Sequence, residues 1–547
     1  MLVACLLAAD VARDTSVTVD EFGYLPHGLA WLDPGATRLA DGNPPQFKML
    51  GALALRPGSY EWNTAWPSDA GDFWTLGATF MRANPAQYQA LYDRARLVPI
   101  GALALTCLLT FVLATRLYGW KAGTFAVWLT ALNPNMLAHG ALLTPDIFFT
   151  AAIALSVLLA QLFWERPSSA RAAGLGLAIG LTCLFKAAGL LLAVLLVATA
   201  FAQDRPVRPG SAAPLPWSHR RYRLIGILAL AATIHVGYLF EGSLATFGTL
   251  TPHHPLFRLL TQETPWLPTV LPADFVTTLD FQLTDGGYPA YLDGRLNTTG
   301  FFDYYLRGLV YKTPPVALLL FVVAAVFGGR LKRSEMPLVL VALVMFTAFS
   351  LLRSKNIGFR YVLFFVPLMH VWISRLLAEG PEAVRAFGQR AAVALCTCGV
   401  AAAAASTALI APHHLAYFNA PAGGPSAGPT HLLDSNVDWG QDLRLLKRFM
   451  DDRRIASIDL AYFGRVDPAV YGIDYRTLGA ASERRWAAVS VNFIYGRGYF
   501  INGSQAWANV ADYRRFQTLL PVSRLGHSLY VFDMGLDVFS DTRPSPP

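Results

Sequence analysis

Charge is what this chain has least of. Asp, Glu, Lys and Arg make up only 15% of its 547 residues, against 54% apolar residues and a mean hydropathy of +0.39. So little charge excludes an ordinary soluble protein and points to a polytopic membrane protein. Cysteine is scarce as well. Cys5, Cys107, Cys183, Cys396 and Cys398 all lie in apolar runs, which excludes a disulfide framework or zinc-ligand spacing. No internal repeat or low-complexity tract interrupts the chain. A positive n-region is lacking too, so Met1 to Ala9 reads as a poor signal peptide, and this apolar segment falls short of the roughly 20 residues a span needs. We read this segment as a first transmembrane helix clipped by a late start, with a frayed terminus as the alternative.

What the chain has is a series of apolar runs, at about 97–115, 123–143, 146–164, 172–202, 224–241, 314–329, 336–352, 360–378 and 391–411. The 172–202 run is too long for one helix and contains Lys186. A charge at mid-membrane depth is expensive, so the run is split into two helices with Lys186 near a membrane surface. Asn133-Pro134 breaks the 123–143 run. These segments predict about 10–11 transmembrane helices.

The net charge of +8 does not indicate nucleic acid as a partner. Its basic residues concentrate in alternate short loops: Arg116 and Lys121; Arg166 and Arg171; Arg205, Arg208, Arg220, Arg221 and Arg223; Arg330, Lys332 and Arg333; Arg375, Arg385 and Arg390. Such loops face the cytoplasm. The large loops 10–96 and 242–313 then face outward, as does 412–547. After Pro412 the apolar runs stop, and the tail is predicted to be a soluble α/β domain. Its strands fall at 457–464, 486–493 and 528–534, and its helices at 441–453 and 504–517. The predicted fold class is mainly α: a membrane helical bundle over 1–411 with a C-terminal α/β domain over 412–547.

Charged groups gather on the outer face of this topology. Asp20 and Glu21 sit in VTVDEFGYLP, Lys48 in NPPQFKML, and Asp146 opens a helix in LLTPDIFF. Lys186, Arg353, Lys355 and Arg360 lie at outer helix ends. Carboxylates beside cations at a membrane surface suit group transfer from a lipid carrier. A carboxylate acts as general base on a hydroxyl while the cations hold the lipid-linked phosphate as it leaves. By residue type alone, an Asp-Glu pair such as Asp20-Glu21 in a polar loop is usually just solvated. Asp146 after Thr-Pro is a natural helix N-terminal residue, and the outer arginines and lysines can snorkel to headgroups. In the tail, Asp434, Asn436 and Asp438 imitate the start of a calcium loop. Trp439 and Leu445 stand where that loop needs Gly and Glu. Asp434, Asn436, Asp438, Trp439 and Gln441 are instead candidates for contact with a sugar or acceptor, or for a turn that caps the following helix.

These residues carry a resemblance. The chain resembles the GT-C glycosyltransferases of the dolichyl-phosphate-mannose–protein mannosyltransferase type, glycosyltransferase family 39, with the bacterial lipid A aminoarabinose transferases as relatives. The resemblance rests on VTVDEFGYL, NPPQFK, TPD at Asp146, GLAIGLTCLFKAAG around Lys186, the 291–314 segment and IGFRYVLFFVP around Arg360. It covers about 15–380. The chain departs from the pattern at Asn43, where the family often has His before Pro-Pro, and at Gln46, where it has an aliphatic residue. The resemblance implies transfer of a sugar, with inversion, from a polyprenyl-phosphate donor to a glycan, lipid or protein acceptor outside the bacterial inner membrane. It implies Asp20 as general base, Glu21 and Asp146 as positioning groups, and Lys48, Lys186 and Arg360 at the donor phosphate. No cofactor is assigned; two acidic sites leave a divalent cation open. The competing functions are a transporter or flippase of lipid-linked sugars and a non-catalytic partner in glycan assembly.

Overall fold

The computed structural model describes residues 1–39, 41–202, 220–378 and 388–535. Arg205, Arg208 and Arg385 of the basic loops lie outside the described residues. The described chain is mostly helical, with one five-stranded sheet near its C-terminus.

Helices form where the apolar runs predict them, and they break where proline or charge interrupts. By length and composition, four described helices suit a membrane crossing: Tyr88–Tyr118, Pro145–Glu165, Arg333–Leu351 and Arg390–Ile410. A fifth arises if Tyr304–Lys312 and Pro315–Phe327, bent by 113° at their junction, count as one span. The sequence reading of about 10–11 spans therefore includes segments that the structure breaks into shorter helices. The 123–143 run becomes Trp120–Ala131 and Pro134–Gly140, because Asn133 accepts from the amides of Asn135 and Met136 and Pro134 starts a new helix. The 172–202 run becomes Ser169–Phe185 and Gly189–Ala202, with Lys186 at the break. Ser169–Phe185 packs along Arg220–Gly237 through Gly176 and Gly180, whose missing side chains let the helices touch. The N-terminal helix Leu2–Asp14 buries Ala4, Ala8, Val11 and Ala12 against Leu97–Tyr118 and Pro134–Gly140.

The large first loop is also helical. Glu21–Leu32 and Gln46–Leu53 lie in close contact: a Cβ on Gly28 would stand 2.2 Å from the Lys48 carbonyl oxygen. A small hairpin, β1 (Ala290–Leu292) and β2 (Arg295–Asn297), decorates the second loop. The tail builds the remaining strands: β3 (Ile458–Ala461), β4 (Tyr475–Thr477), β5 (Trp486–Ser490), β6 (Ser523–Leu525) and β7 (Leu529–Asp533). Their order is β4-β3-β5-β7-β6. The pairs around β3 are parallel and those on β7 antiparallel. The predicted helices of the tail appear as Leu443–Asp452 and the 3-10 helix Val510–Gln517.

The tail does not hang free. Ser16 and Val19 donate backbone hydrogen bonds to the carbonyls of Gln441 and Trp439, each at 2.9 Å. Buried Lys312 donates to the carbonyls of Leu415 and Asn436 at 2.8 and 2.6 Å. The Ser16 and Val19 bonds fix the segment just before Asp20 against the segment 439–441, and the Lys312 bonds tie the tail to the helix Tyr304–Lys312.

Candidate active site

Asp20 stands at the N-cap position of Glu21–Leu32, opposite Arg360 of the short 3-10 helix Phe359–Val362. Arg360 Nη1 lies 3.0 Å from Asp20 Oδ2 and 3.5 Å from Asp146 Oδ2. Asp146 Oδ1 in turn accepts from Lys186 Nζ at 2.5 Å. Two carboxylates and two cations thus form one chain of alternating charge. Arg360 is held in place by neutral groups as well. Its Nε donates to Ser435 at 3.2 Å, and its guanidinium stacks 4.2 Å from the Trp439 ring and 5.0 Å from Tyr361. Lys186 Nζ sits 4.6 Å over the Tyr361 ring.

Asp20, Lys186 and Arg360 line a cavity of about 910 Å³. One part of its wall is aliphatic and aromatic, from Leu190, Leu191, Val194, Phe349 and Leu352. Another part comes from the tail, through Asp434, Trp439, Arg465, Arg497 and Tyr499. The side chain of Asp20 is 20% exposed there, whereas Asp146 is wholly buried beneath its two cations. Burial pushes the Asp20 carboxyl above the ordinary range; Arg360 pulls it back, and the neighbouring Asp434 and Asp146 charges raise it again. The result is a carboxylate more basic than a solvated aspartate, facing open space.

Glu21, adjacent in sequence, faces the opposite way and has no place on the cavity wall. Its oxygens accept from Arg96 Nε and Nη2 at 2.9 and 2.6 Å, from the Leu143 amide at 2.8 Å and from the Thr18 amide and hydroxyl at 3.1 and 2.9 Å. Burial opposes its ionisation, but the Arg96 charge and these bonds outweigh that and hold its carboxyl below the ordinary range. The structure therefore places Glu21, a catalytic candidate from the sequence, in a closed box with Arg96 and away from the cavity wall. Lys48, a candidate for the donor phosphate, also stands away from the cavity wall. It is fully buried, its ammonium pairing with Asp41 and lying 3.0 Å from His27 Nδ1 and 2.8 Å from the Asn43 carbonyl. Asp41 and Asn43 reach the cavity; Lys48 stands behind them.

The tail candidates also divide. Asp434 and Trp439 line the cavity, and Asp434 pairs with Arg497 at 2.9 Å. Asp434 holds a left-handed backbone (φ 61°), an uncommon strain for a residue with a side chain, and one that aims its carboxylate toward Arg497. Asn436, Asp438 and Gln441 are buried and committed internally. Asn436 accepts from the Phe359 amide at 2.9 Å and donates to Tyr304 at 2.9 Å. Asp438 accepts from Ser490 and, at 2.9 Å, from the Gly440 amide. Gln441 accepts from the Trp439 amide at 2.7 Å. These three build the turn that presents Trp439 and do not themselves reach the cavity wall. Among the described residues, no three His, Cys, Asp or Glu side chains converge as a metal-binding group.

Sequence reasoning missed Arg465, Arg497, Tyr361 and Tyr499 on the cavity wall, and Arg96 behind it. The tail arginines carry no local signal, since an Arg in a soluble domain is ordinary. Arg96 did carry one: a charge directly before the 97–115 apolar run.

Residues 91–234 match the family model described as dolichyl-phosphate-mannose-protein mannosyltransferase. The match bears out, over that segment, the resemblance to GT-C membrane glycosyltransferases. Among solved structures, the chain is similar to ArnT from Cupriavidus metallidurans bound to undecaprenyl phosphate, at 14% identity and TM-score 0.47, covering 97% of this chain and 96% of that one. It is also similar to the Archaeoglobus fulgidus oligosaccharyltransferase AglB in complex with an inhibitory peptide and a dolichol-phosphate, at 15% identity and TM-score 0.42, covering 74% and 55%. Among curated proteins, none matches this chain.

Proposed function

We propose that this chain transfers a glycosyl group from a polyprenyl-phosphate-linked sugar to an acceptor hydroxyl, with inversion, on the extracytoplasmic side of the bacterial cytoplasmic membrane. The observation that carries this reading is the position of Asp20: a carboxylate of raised basicity, open to a cavity it shares with Lys186 and Arg360 and with an aliphatic wall. The aliphatic wall suits the first isoprene units of the carrier. Lys186 and Arg360 suit its phosphate, and the tail, as a separate outer domain, closes the site over the acceptor.

In this mechanism Asp20 takes the proton from the acceptor hydroxyl as its oxygen attacks the anomeric carbon. The new carbon–oxygen bond forms as the bond to the carrier phosphate breaks. The electron pair leaves with polyprenyl phosphate, whose gathering charge Lys186 and Arg360 stabilise. Asp146 is a positioning residue that holds both cations in register.

The test is an in vitro transfer assay with undecaprenyl-phosphate sugars and the purified full-length protein. Asp20→Asn is expected to lower kcat by about 100- to 10,000-fold, a typical range for loss of a general base, while carrier binding persists. Full turnover in Asp20→Asn removes Asp20 as base; failure of the wild type to bind any polyprenyl phosphate removes the donor class.

A further inference from the structure

Five cations line the cavity: Lys186, Lys355, Arg360, Arg465 and Arg497. Four of them face a carboxylate. Lys186 faces Asp146, Arg360 faces Asp20, Arg497 faces Asp434 and Lys355 faces Asp285. Arg465 makes no ion pair among the described residues, although it is only 6% exposed. A buried, unpaired charge is costly, and cations in such positions ordinarily have an anion or a metal-bound group to complete them.

Its surroundings are built rather than incidental. The Arg465 guanidinium lies 3.7 Å from the Phe500 ring centroid, 4.4 Å from Trp74 and 5.3 Å from Tyr499. Nε donates to the Tyr499 hydroxyl at 3.2 Å, and the terminal nitrogens form no hydrogen bond among the described residues. The nearby carboxylate of Asp72 senses the arginine but is occupied in capping its own helix, accepting from the amides of Trp74 and Thr75 at 2.8 and 2.9 Å. The fork of Arg465 is thus oriented by stacking, fixed through Nε, and left with donors open to the cavity. That geometry suits a carboxylate or phosphate. Arg465 and Tyr499 line the same cavity as the proposed base, Asp20.

We propose that Arg465 is a specificity-determining residue that binds an anionic group, carboxylate or phosphate, on the saccharide acceptor. The inference rests on the glycosyl-transfer reading insofar as Asp20 marks where the acceptor hydroxyl sits. The acceptor is then an acidic or phosphorylated sugar. The carrier phosphate keeps its own cations, Lys186 and Arg360, on the membrane side.

The experiment measures binding of D-glucuronate, D-glucose 1-phosphate and neutral D-glucose to the full-length protein in detergent, by ligand-observed NMR. The wild type is expected to prefer at least one anion over glucose by about tenfold or more, the worth of a charge-assisted hydrogen bond. Which anion is preferred tells carboxylate from phosphate recognition. Arg465→Gln should reduce the preference to less than about twofold. Arg465→Lys, which keeps the charge but loses the fork, should retain only part of it, and decides the matter if the Gln variant fails to fold. Equal binding of all three sugars by the wild type, or a preference unchanged in both variants, overturns the proposal. So does a glucose 1-phosphate preference that survives in Arg465→Gln but vanishes in Lys186→Gln, because the anion then sits with the carrier phosphate. Undecaprenyl phosphate binding, measured in parallel, reports separately on the glycosyl-transfer reading.

Discussion

Asp20 and Glu21 are neighbours in sequence and opposites in structure. Each faces an arginine brought from elsewhere, at 3.0 Å for Asp20 and 2.6 Å for Glu21. Glu21 meets Arg96 in a closed box. All five donors of that arginine are spent, on the Glu21 carboxylate and on the carbonyls of Ala12, Thr15 and Ser16. Asp20 meets Arg360 at an open wall, where the arginine is shared with Asp146 and the carboxylate retains exposed surface. The same burial that raises both carboxyls is overcome at Glu21 by the Arg96 charge and the surrounding hydrogen bonds, and is not overcome at Asp20. A fully satisfied carboxylate is inert; a partly satisfied one beside a cavity can exchange a proton. The difference lies in how many donors surround each group, not in its residue type.

That contrast can be broken at its strongest point first. Asp20→Asn is expected to abolish most turnover, by about 100- to 10,000-fold, with little change in the thermal unfolding midpoint. Arg96→Ala should do the reverse. Leaving Glu21 buried without its partner costs about 3–5 kcal/mol, so the variant should unfold earlier or fail to accumulate, as thermal denaturation in detergent would show. If Arg96→Ala keeps its stability and loses only turnover, the division between the two carboxylates collapses.

The pH dependence sharpens the same contrast. Under the proposed mechanism Asp20 acts as base only when ionised, and its carboxyl is raised, so kcat/KM should fall as pH drops through a value above the ordinary 3.8. A pH–rate profile flat down to that ordinary value would contradict the assignment. Asp438 links pH to stability instead. Burial raises its carboxyl to about 8 in the folded protein, against 3.8 for an ordinary aspartate. The folded state therefore holds more protons than the unfolded state between those values. This contribution is full below 3.8 and is lost as pH rises toward about 8. Asp438→Asn should flatten the decline in unfolding midpoint across that window, and an unchanged slope would show that Asp438 is not protonated in the fold. The smallest effect is expected at Arg116–Glu165, an exposed pair at 2.6 Å. Arg116→Gln should cost under about 1 kcal/mol, because solvent and salt screen such pairs.

Much of this was legible in the sequence. The apolar runs located the helices, the Lys186 break followed from the cost of a mid-membrane charge, and the β3, β5 and β7 strands fell within the predicted segments. Asp20, Asp146, Lys186 and Arg360 stand out together in the sequence, and the structure brings them together. Glu21 and Lys48 stand out with them and prove to be buried behind the wall, since adjacency in a loop does not say which way a side chain turns. Arg465 and Arg497 do not stand out, because each looks like a solvent-facing arginine until the tail is laid across the first loop.

The sequence by itself determined a charge-poor, mainly helical membrane chain with acidic and basic groups at its helix ends. Hydrophobic periodicity and the cost of burying charge are local properties that can be read residue by residue. Only the tertiary structure decided which of those groups share a cavity. That choice depends on contacts such as Val19 with Trp439 and Lys312 with Asn436, which join positions far apart in the chain. Whether a carboxylate is spent or open is set by the donors such contacts bring around it.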